Sequence, residues 1–352
     1  MEYNKKYYDK VCELATNLTK TIDPKMKWMW GEALLGYALD ELDKNNGKND
    51  YTQFLINYCD YWVEQNPEID QSDTLAPGLI TYAMYKRTNN SSYKKLTDKV
   101  LDYIQNEPRL VGNCLNHLGS SFKSKLYPKS VWVDSLMMFS VFTSLYGCEN
   151  HDKKLIDFAS YGPIEYSKMM MDSKTNLWYH SYWVKRAKAY PGKDIYWGRG
   201  NGWVICALPM ILDNIGLEHE NSKEIISIYT KTSEAILKEI RDDYTFSTLI
   251  NDKSTYRELS ATLLISAGWM HAIRCGYLDD KYKETAVKSF MACVDAIIER
   301  DGNLYLPQIS GPTIPLQVFP KLAYKLTPVG DNWSYGVAAL IFAAIEYQKL
   351  FK

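Results

Sequence analysis

The sequence predicts an all-α protein, an (α/α)6 barrel of six helical hairpins, and three observations carry that expectation. Six charged, amphipathic stretches alternate with six stretches that are apolar nearly all round, and a helix apolar on every side is one buried on every side. The connections between them are mostly short and polar, so successive stretches pair as hairpins with the polar helix outside and the apolar helix inside. At 352 residues with 46% hydrophobic content, the chain can also fill the core that a double ring requires. No linker interrupts the pattern, which predicts one domain over residues 1–352.

In chain order, the first outer helix is expected near Tyr3 (YYDKVCELATNLTKTI) and its inner partner at Trp28 (WMWGEALLGYAL). The second hairpin joins Tyr51 (YTQFLINYCDYWVEQ) to Leu75 (LAPGLITYAMY), and the third joins Ser91 (SSYKKLTDKVLDYIQNE) to Val131 (VWVDSLMMFSVFTSLY). His151 (HDKKLIDFASYGPIEYSKMM) opens the fourth, which returns through Trp203 (WVICALPMIL). Ser222 (SKEIISIYTKTSEAILKEIRDD) pairs with Ser260 (SATLLISAGWMHAI), and Asp280 (DKYKETAVKSFMACVDAIIER) with Trp333 (WSYGVAALIFAAIEY). Each first member is polar on one face. Longer connections at 109–130, 172–199, 242–257 and 302–330 hold Gly, Pro and alternating segments such as LWYHSYWV, which read as short hairpins or shaped loops.

Charge and cysteine usage narrow the function. With 41 basic and 42 acidic residues spread along the chain, there is no footprint for nucleic acid or an anionic membrane, so a small molecule is the expected partner. The seven cysteines are scattered and lack CxxC spacing, which argues against a disulfide framework and a zinc site and points to a reducing, cytoplasmic compartment. No apolar run is long enough to span a bilayer.

If all hairpins turn in one sense, the inner helices are parallel and their N-termini open on one face, where a site should form. The residues placed there are Trp28, Trp30, Asp73, Asp134, Trp197, Arg199, Trp203, Glu258, Asp331, Trp333 and Tyr335, a cup of tryptophans, carboxylates and an arginine suited to an acidic sugar. Asp134 interrupts the apolar VWVDSLMMF; burial would raise its pKa and suit a general acid, or it accepts hydrogen bonds at a helix N-terminus. Asp73, before Pro77, reads first as a helix cap. His180, in NLWYHSYW, faces the cup, whereas His271 reads as a core histidine and His117, His151 and His219 carry no signal. No pair has metal-ligand spacing, so neither a catalytic metal nor a cofactor is expected. The stretch Asp194–Trp203, DIYWGRGNGW, lacks the preceding strand of a dinucleotide loop. Its glycines read instead as a tight start to the fourth inner helix, bringing backbone close to a ligand, with Trp197 and Trp203 flanking Arg199.

YWGRGNGW, YPKSVWVDSLMMF, SDTLAPGL and RELSATLLISAGWMHAIRCGYLD, in this order, resemble the unsaturated rhamnogalacturonyl hydrolases of glycoside hydrolase family 105, relatives of the unsaturated glucuronyl hydrolases of family 88. The resemblance implies an (α/α)6 barrel and release of a Δ4,5-unsaturated uronic acid from the non-reducing end of lyase-generated oligosaccharides, by hydration of the double bond. It implies Asp134 as catalytic acid and base, and Asp73, His180, Trp197, Arg199, Trp203 and Trp333 as substrate-binding residues, with Arg199 positioned near the substrate's polar groups. Lys123 and Ser130 stand where the family carries His and Gln.

Rival readings are a conventional acid/base glycosidase or epimerase on the same barrel, needing two carboxylates across the cleft, and a sugar-binding protein without turnover. An unsaturated glucuronyl hydrolase acting on other lyase products is the nearer alternative.

Overall fold

The computed structural model describes residues 2–352 and is mostly helical. The outer helices are α1 (Lys5–Thr21), α3 (Thr52–Gln65), α5 (Ser91–Asn106), α7 (Lys153–Met170), α9 (Ser222–Leu237) and α11 (Lys283–Asp295). Between them run the inner helices α2 (Trp30–Asn46), α4 (Gly78–Thr88), α6 (Val141–Glu149), α8 (Gly198–Ile215), α10 (Leu259–Arg274) and α13 (Ser334–Leu350). Each inner helix touches the next, and α13 returns to α2, so the inner ring closes. Its members are sheathed as their composition demands: every residue from Leu259 to Ile273 of α10, and from Tyr335 to Tyr347 of α13, is buried. The outer helices bury one face only, as in α1, where Tyr8, Val11, Leu14, Ala15 and Leu18 point inward.

Inner helices can approach closely where glycine allows. A Cβ on Gly268 of α10 would fall 2.0 Å from the Ile205 carbonyl oxygen of α8, so only hydrogen fits between these two backbones.

The connections carry small two- and three-stranded pieces: β1 (Arg109–Val111) with β2 (Cys114–Leu115), β3 (Ser130–Trp132) with β4 (Ser181–Trp183) and β5 (Lys188–Tyr190), β6 (Ile298–Arg300) with β7 (Asn303–Tyr305), and β8 (Ile309–Ser310) with β9 (Val329–Gly330). A short α12 (Pro320–Leu326), not expected from the sequence, lies in the last of them.

Two segments depart from expectation. The apolar run at Val131 does not begin as helix: Ser130, Val131 and Trp132 pair antiparallel with Trp183, Tyr182 and Ser181, because β-branched and aromatic residues here find a partner strand. A π-turn (Leu136–Ser140) then leads into α6. GRGNG forms the first turns of α8, as expected of a start to the fourth inner helix, but the closeness its glycines allow is not to a ligand: a Cβ on Gly198 would lie 2.4 Å from the Ser247 carbonyl oxygen. All seven cysteines are free, and among the described residues no helix is long and apolar enough to cross a membrane.

Candidate active site

At the N-terminal mouth of the inner ring lies a cleft of about 280 Å³, lined by Trp30, Asp73, Asp134, Trp197, Arg199, Trp333 and Tyr335, among others. These residues begin, or immediately precede, five different inner helices. The opposite mouth holds a separate cavity lined from the C-terminal halves of the inner helices, including Lys44, Glu149, Asp213, His271 and Glu346. The two ends of the ring are therefore chemically distinct.

The cleft floor rests on two matched pairs, of which Asp134, Asp73 and His117 line the cleft, while His180, expected to contact substrate, is wholly buried behind Asp134. His180 Nε2 stands 3.2 Å from Asp134 Oδ2, and His117 Nε2 stands 3.5 Å from Asp73 Oδ1. Each imidazole is oriented from behind at Nδ1, His180 by the Tyr324 hydroxyl at 2.8 Å and His117 by the Ser135 hydroxyl at 3.0 Å. Trp132 stands between the pairs, stacked on His117 at 4.3 Å and edge-on to His180 at 5.2 Å, while Trp197 stacks on the other side of His180 at 4.2 Å. Local structure explains these placements: strand β3 ends at Trp132, and the chain turns so that the Asp134 carbonyl accepts from Met137 and Met138.

Neither carboxylate caps a helix. The 3-10 turn Ser72–Thr74 is closed by Thr74, whose Oγ1 accepts from the Gln71 N–H and whose N–H donates to the Gln71 carbonyl, leaving Asp73 free to face the cleft. Asp134 Oδ2 and His180 Nε2 face each other in contact at 3.2 Å, and neither atom makes a hydrogen bond. The Asp134 side chain is 13% exposed and lines the cleft, so a substrate meets the part of it that does not face His180.

The electrostatics differ from the expectation of a raised aspartate. Burial pushes the Asp134 carboxyl up, but His180 at contact distance, with His117 behind it, pulls it down further, and the net position is below the ordinary aspartate value. Burial holds the His180 imidazole below its ordinary value despite Asp134. At neutral pH the pair is therefore a carboxylate beside a neutral imidazole. Removing the imidazole in His180→Ala takes away the main group opposing burial, leaving His117 and a backbone hydrogen bond, and should raise the Asp134 pKa. If Asp134 must be protonated to react, the falling alkaline limb of the kcat/KM profile then moves to higher pH; an unmoved limb with only a lower plateau would limit His180 to packing behind Asp134.

The remaining sequence candidates divide. Trp197 and Trp333 line the cleft, with Trp333 40% exposed at its rim. Trp203 sits behind the wall, edge-on to Trp30 at 6.0 Å, and does not line the cleft. Arg199 is wholly buried: its guanidinium lies between the Trp197 and Tyr335 rings at 4.8 and 4.7 Å and donates to the carbonyls of Ser310 at 2.8 Å and Gly311 at 2.9 Å. Its two terminal nitrogens bond the loop that carries Pro312, Thr313 and Ile314 into the cleft, whereas its Nε is left without a partner on a residue that lines the cleft. Glu258 caps α10 through Ser260 and Ala261 and also accepts from the Ser310 N–H. Trp28 is core, its indole donating to the Thr74 carbonyl, and Asp331 bonds Arg300.

The sequence reading missed His117, whose surroundings are polar in sequence but not in space: it is 2% exposed, and its backbone joins Ser72 to Ser130. Glu32, Lys27 and Lys123 also line the cleft, and burial raises the Glu32 pKa. Ser130 does not; its hydroxyl is buried against the Trp132 indole. His271 is satisfied by Asp213 at 2.7 Å, and with Cys275 these two bring possible ligand atoms within 4.8 Å of one another at the opposite mouth, away from Asp134.

The family model described as Glycosyl Hydrolase Family 88 matches residues 4–351. The unsaturated rhamnogalacturonyl hydrolase YesR of Bacillus subtilis is 23% identical over 342 residues, 96% of this chain and 95% of that protein. Among solved structures, a family 105 glycoside hydrolase of C. acetobutylicum superposes with a TM-score of 0.87 at 23% identity, over 97% of this chain and 99% of its own. The unsaturated glucuronyl hydrolase of Bacillus sp. GL1 gives 0.74 at 14% identity, over 96% of each chain. These likenesses agree with the helical barrel described above.

Proposed function

The chain belongs to glycosyl hydrolase family 88, a family of glycoside hydrolases, and from that premise we propose that it removes a Δ4,5-unsaturated uronic acid from the non-reducing end of oligosaccharides left by polysaccharide lyases, the unsaturated rhamnogalacturonan disaccharide foremost. The observation that carries this reading is the buried Asp134, with one oxygen unpartnered, on the floor of a cleft walled by Trp30, Trp132, Trp197 and Trp333. Aromatic walls suit sugar rings, and a single buried carboxyl group suits proton transfer to carbon.

Asp134, protonated, delivers its proton to C4, and the resulting carboxylate takes a proton from the water that adds to C5. An entering uronate favours that start, since its own negative charge beside Asp134 raises the aspartate pKa. The product at C5 is a hemiketal carrying the new hydroxyl and the ring oxygen. When the C5–ring oxygen bond breaks, C5 becomes a ketone and C1 is left as a hemiacetal, which expels the leaving sugar as an alcohol and becomes an aldehyde. No bond to C1 is attacked directly, so the carboxylate pair of ordinary glycosidases is not required. Asp73, with His117, holds the sugar's hydroxyls, and Arg199 shapes the cleft by fixing the 310–313 loop.

The test is a direct one. Lyase-treated rhamnogalacturonan should lose its conjugated-uronate ultraviolet absorbance on addition of the protein, while saturated oligosaccharides are untouched. Turnover of saturated substrates with no loss of that band would replace this reading with the conventional acid/base one.

A further inference from the structure

The stretch Lys185–Lys193, KRAKAYPGK, carries four cations and no acid in a chain whose formal net charge is −1. Strand β5 and the turn after it bring Lys188 and Lys193 to a pocket of about 560 Å³, where Lys321 and Lys325 of α12 meet them. Asp252 accepts both α12 lysines, at 3.1 and 3.4 Å. Among the described residues, neither Lys188 nor Lys193 has a carboxylate within 4.0 Å, although Asp194 follows Lys193 in the chain with one oxygen bonded to the Tyr196 hydroxyl. The pocket walls are apolar and aromatic, with Tyr190, Ile195, Phe319 and Leu322. Tyr190 is rigid, stacked on Trp183 at 3.8 Å and donating to the Leu316 carbonyl at 2.5 Å, whereas Phe319 is 75% exposed.

This pocket adjoins the cleft through one loop. Ile314 lines the cleft, and Gln317 and Phe319 line the pocket. Five residues of extended chain cover at most about 18 Å, which a short oligosaccharide can bridge.

We propose that the lysine pocket is a second saccharide site for a carboxylate-bearing sugar chain, and, resting on the function proposed above, that it holds the leaving end of longer substrates. Ammonium groups meet the carboxylates, and Tyr190 and Phe319 meet the C–H faces of the rings. Such contacts between exposed charges weaken as salt rises.

The test uses the double variant Lys188→Ala/Lys193→Asn, with Asn chosen because residue 193 is left-handed at φ 52° and Asn tolerates that backbone. A short saturated oligogalacturonate, titrated calorimetrically into Asp134→Asn protein, should bind with salt-sensitive affinity and lose about tenfold when the lysine changes are added. In the active protein, the lysine changes should raise KM for long unsaturated substrates by a similar factor, leaving kcat and the disaccharide KM unchanged. Equal KM changes on short and long substrates, or oligogalacturonate binding indifferent to the lysines, would overturn the proposal. If the native protein consumes no unsaturated oligosaccharide, the hydration reading fails, while the calorimetry still decides for or against the lysine pocket.

Discussion

Asp134→Asn should lower kcat on unsaturated uronyl oligosaccharides by about a thousandfold, the scale of a lost general acid and base. The amide keeps the shape of the carboxyl and its place beside His180, 3.2 Å away in the native protein, but it can neither give C4 a proton nor take one from water. A small loss of stability should accompany the change, because a carboxylate held below its ordinary pKa contributes to folding at neutral pH. Progress curves of the ultraviolet band, read beside a thermal melt, separate the two effects. Activity within a few-fold of native, from a protein of native stability, would remove Asp134 from the chemistry and the hydration mechanism with it.

Arg199→Ala should be the most destabilising single change at this end of the barrel, by about 3 kcal/mol, the low end for breaking a buried ion pair. Its guanidinium is wholly buried and supplies the donors for the Ser310 and Gly311 carbonyls, with a further bond to Thr313 Oγ1 at 3.2 Å. Glu258, 3.9 Å away and equally buried, loses its counter-charge but keeps Ser260, Ala261 and the Ser310 N–H, which is why the low end applies. Because the freed loop carries Thr313 and Ile314 into the cleft, KM should rise together with the loss of stability. Arg199→Lys should fall between, since an ammonium cannot span two carbonyls as the planar fork does. Denaturant midpoints and KM measured on the three proteins check this. A stable Arg199→Ala protein with raised KM would instead give Arg199 a direct hold on substrate.

Arg199 illustrates how far sequence reasoning reached. GRGNGW could be placed at the start of an inner helix because the apolar run after it is continuous, and its burial follows from that position. What the arginine touches depends on residues 310–313, more than a hundred positions later, and no local pattern connects them. The same limit hid His117. It enters the site because its backbone bridges Ser72 and Ser130, an arrangement made by the third hairpin folding over the second. Asp73 was misread as a cap for a simpler reason: Asp before a helix usually caps it, but Gln71 and Thr74 already satisfy that turn.

The sequence alone determined the barrel, since six buried helices alternating with six half-buried ones leave few other ways to hide so much apolar surface, and it determined that Asp134, Trp197 and Trp333 would share one mouth, since parallel inner helices begin at the same end. Tertiary structure alone decided which of those side chains face the cleft and what charge they carry. Asp134 is held as a carboxylate by an imidazole from another connection, and the terminal nitrogens of Arg199 are taken by carbonyls from a third, because pKa and orientation are set by neighbours in space that the order of residues does not reveal.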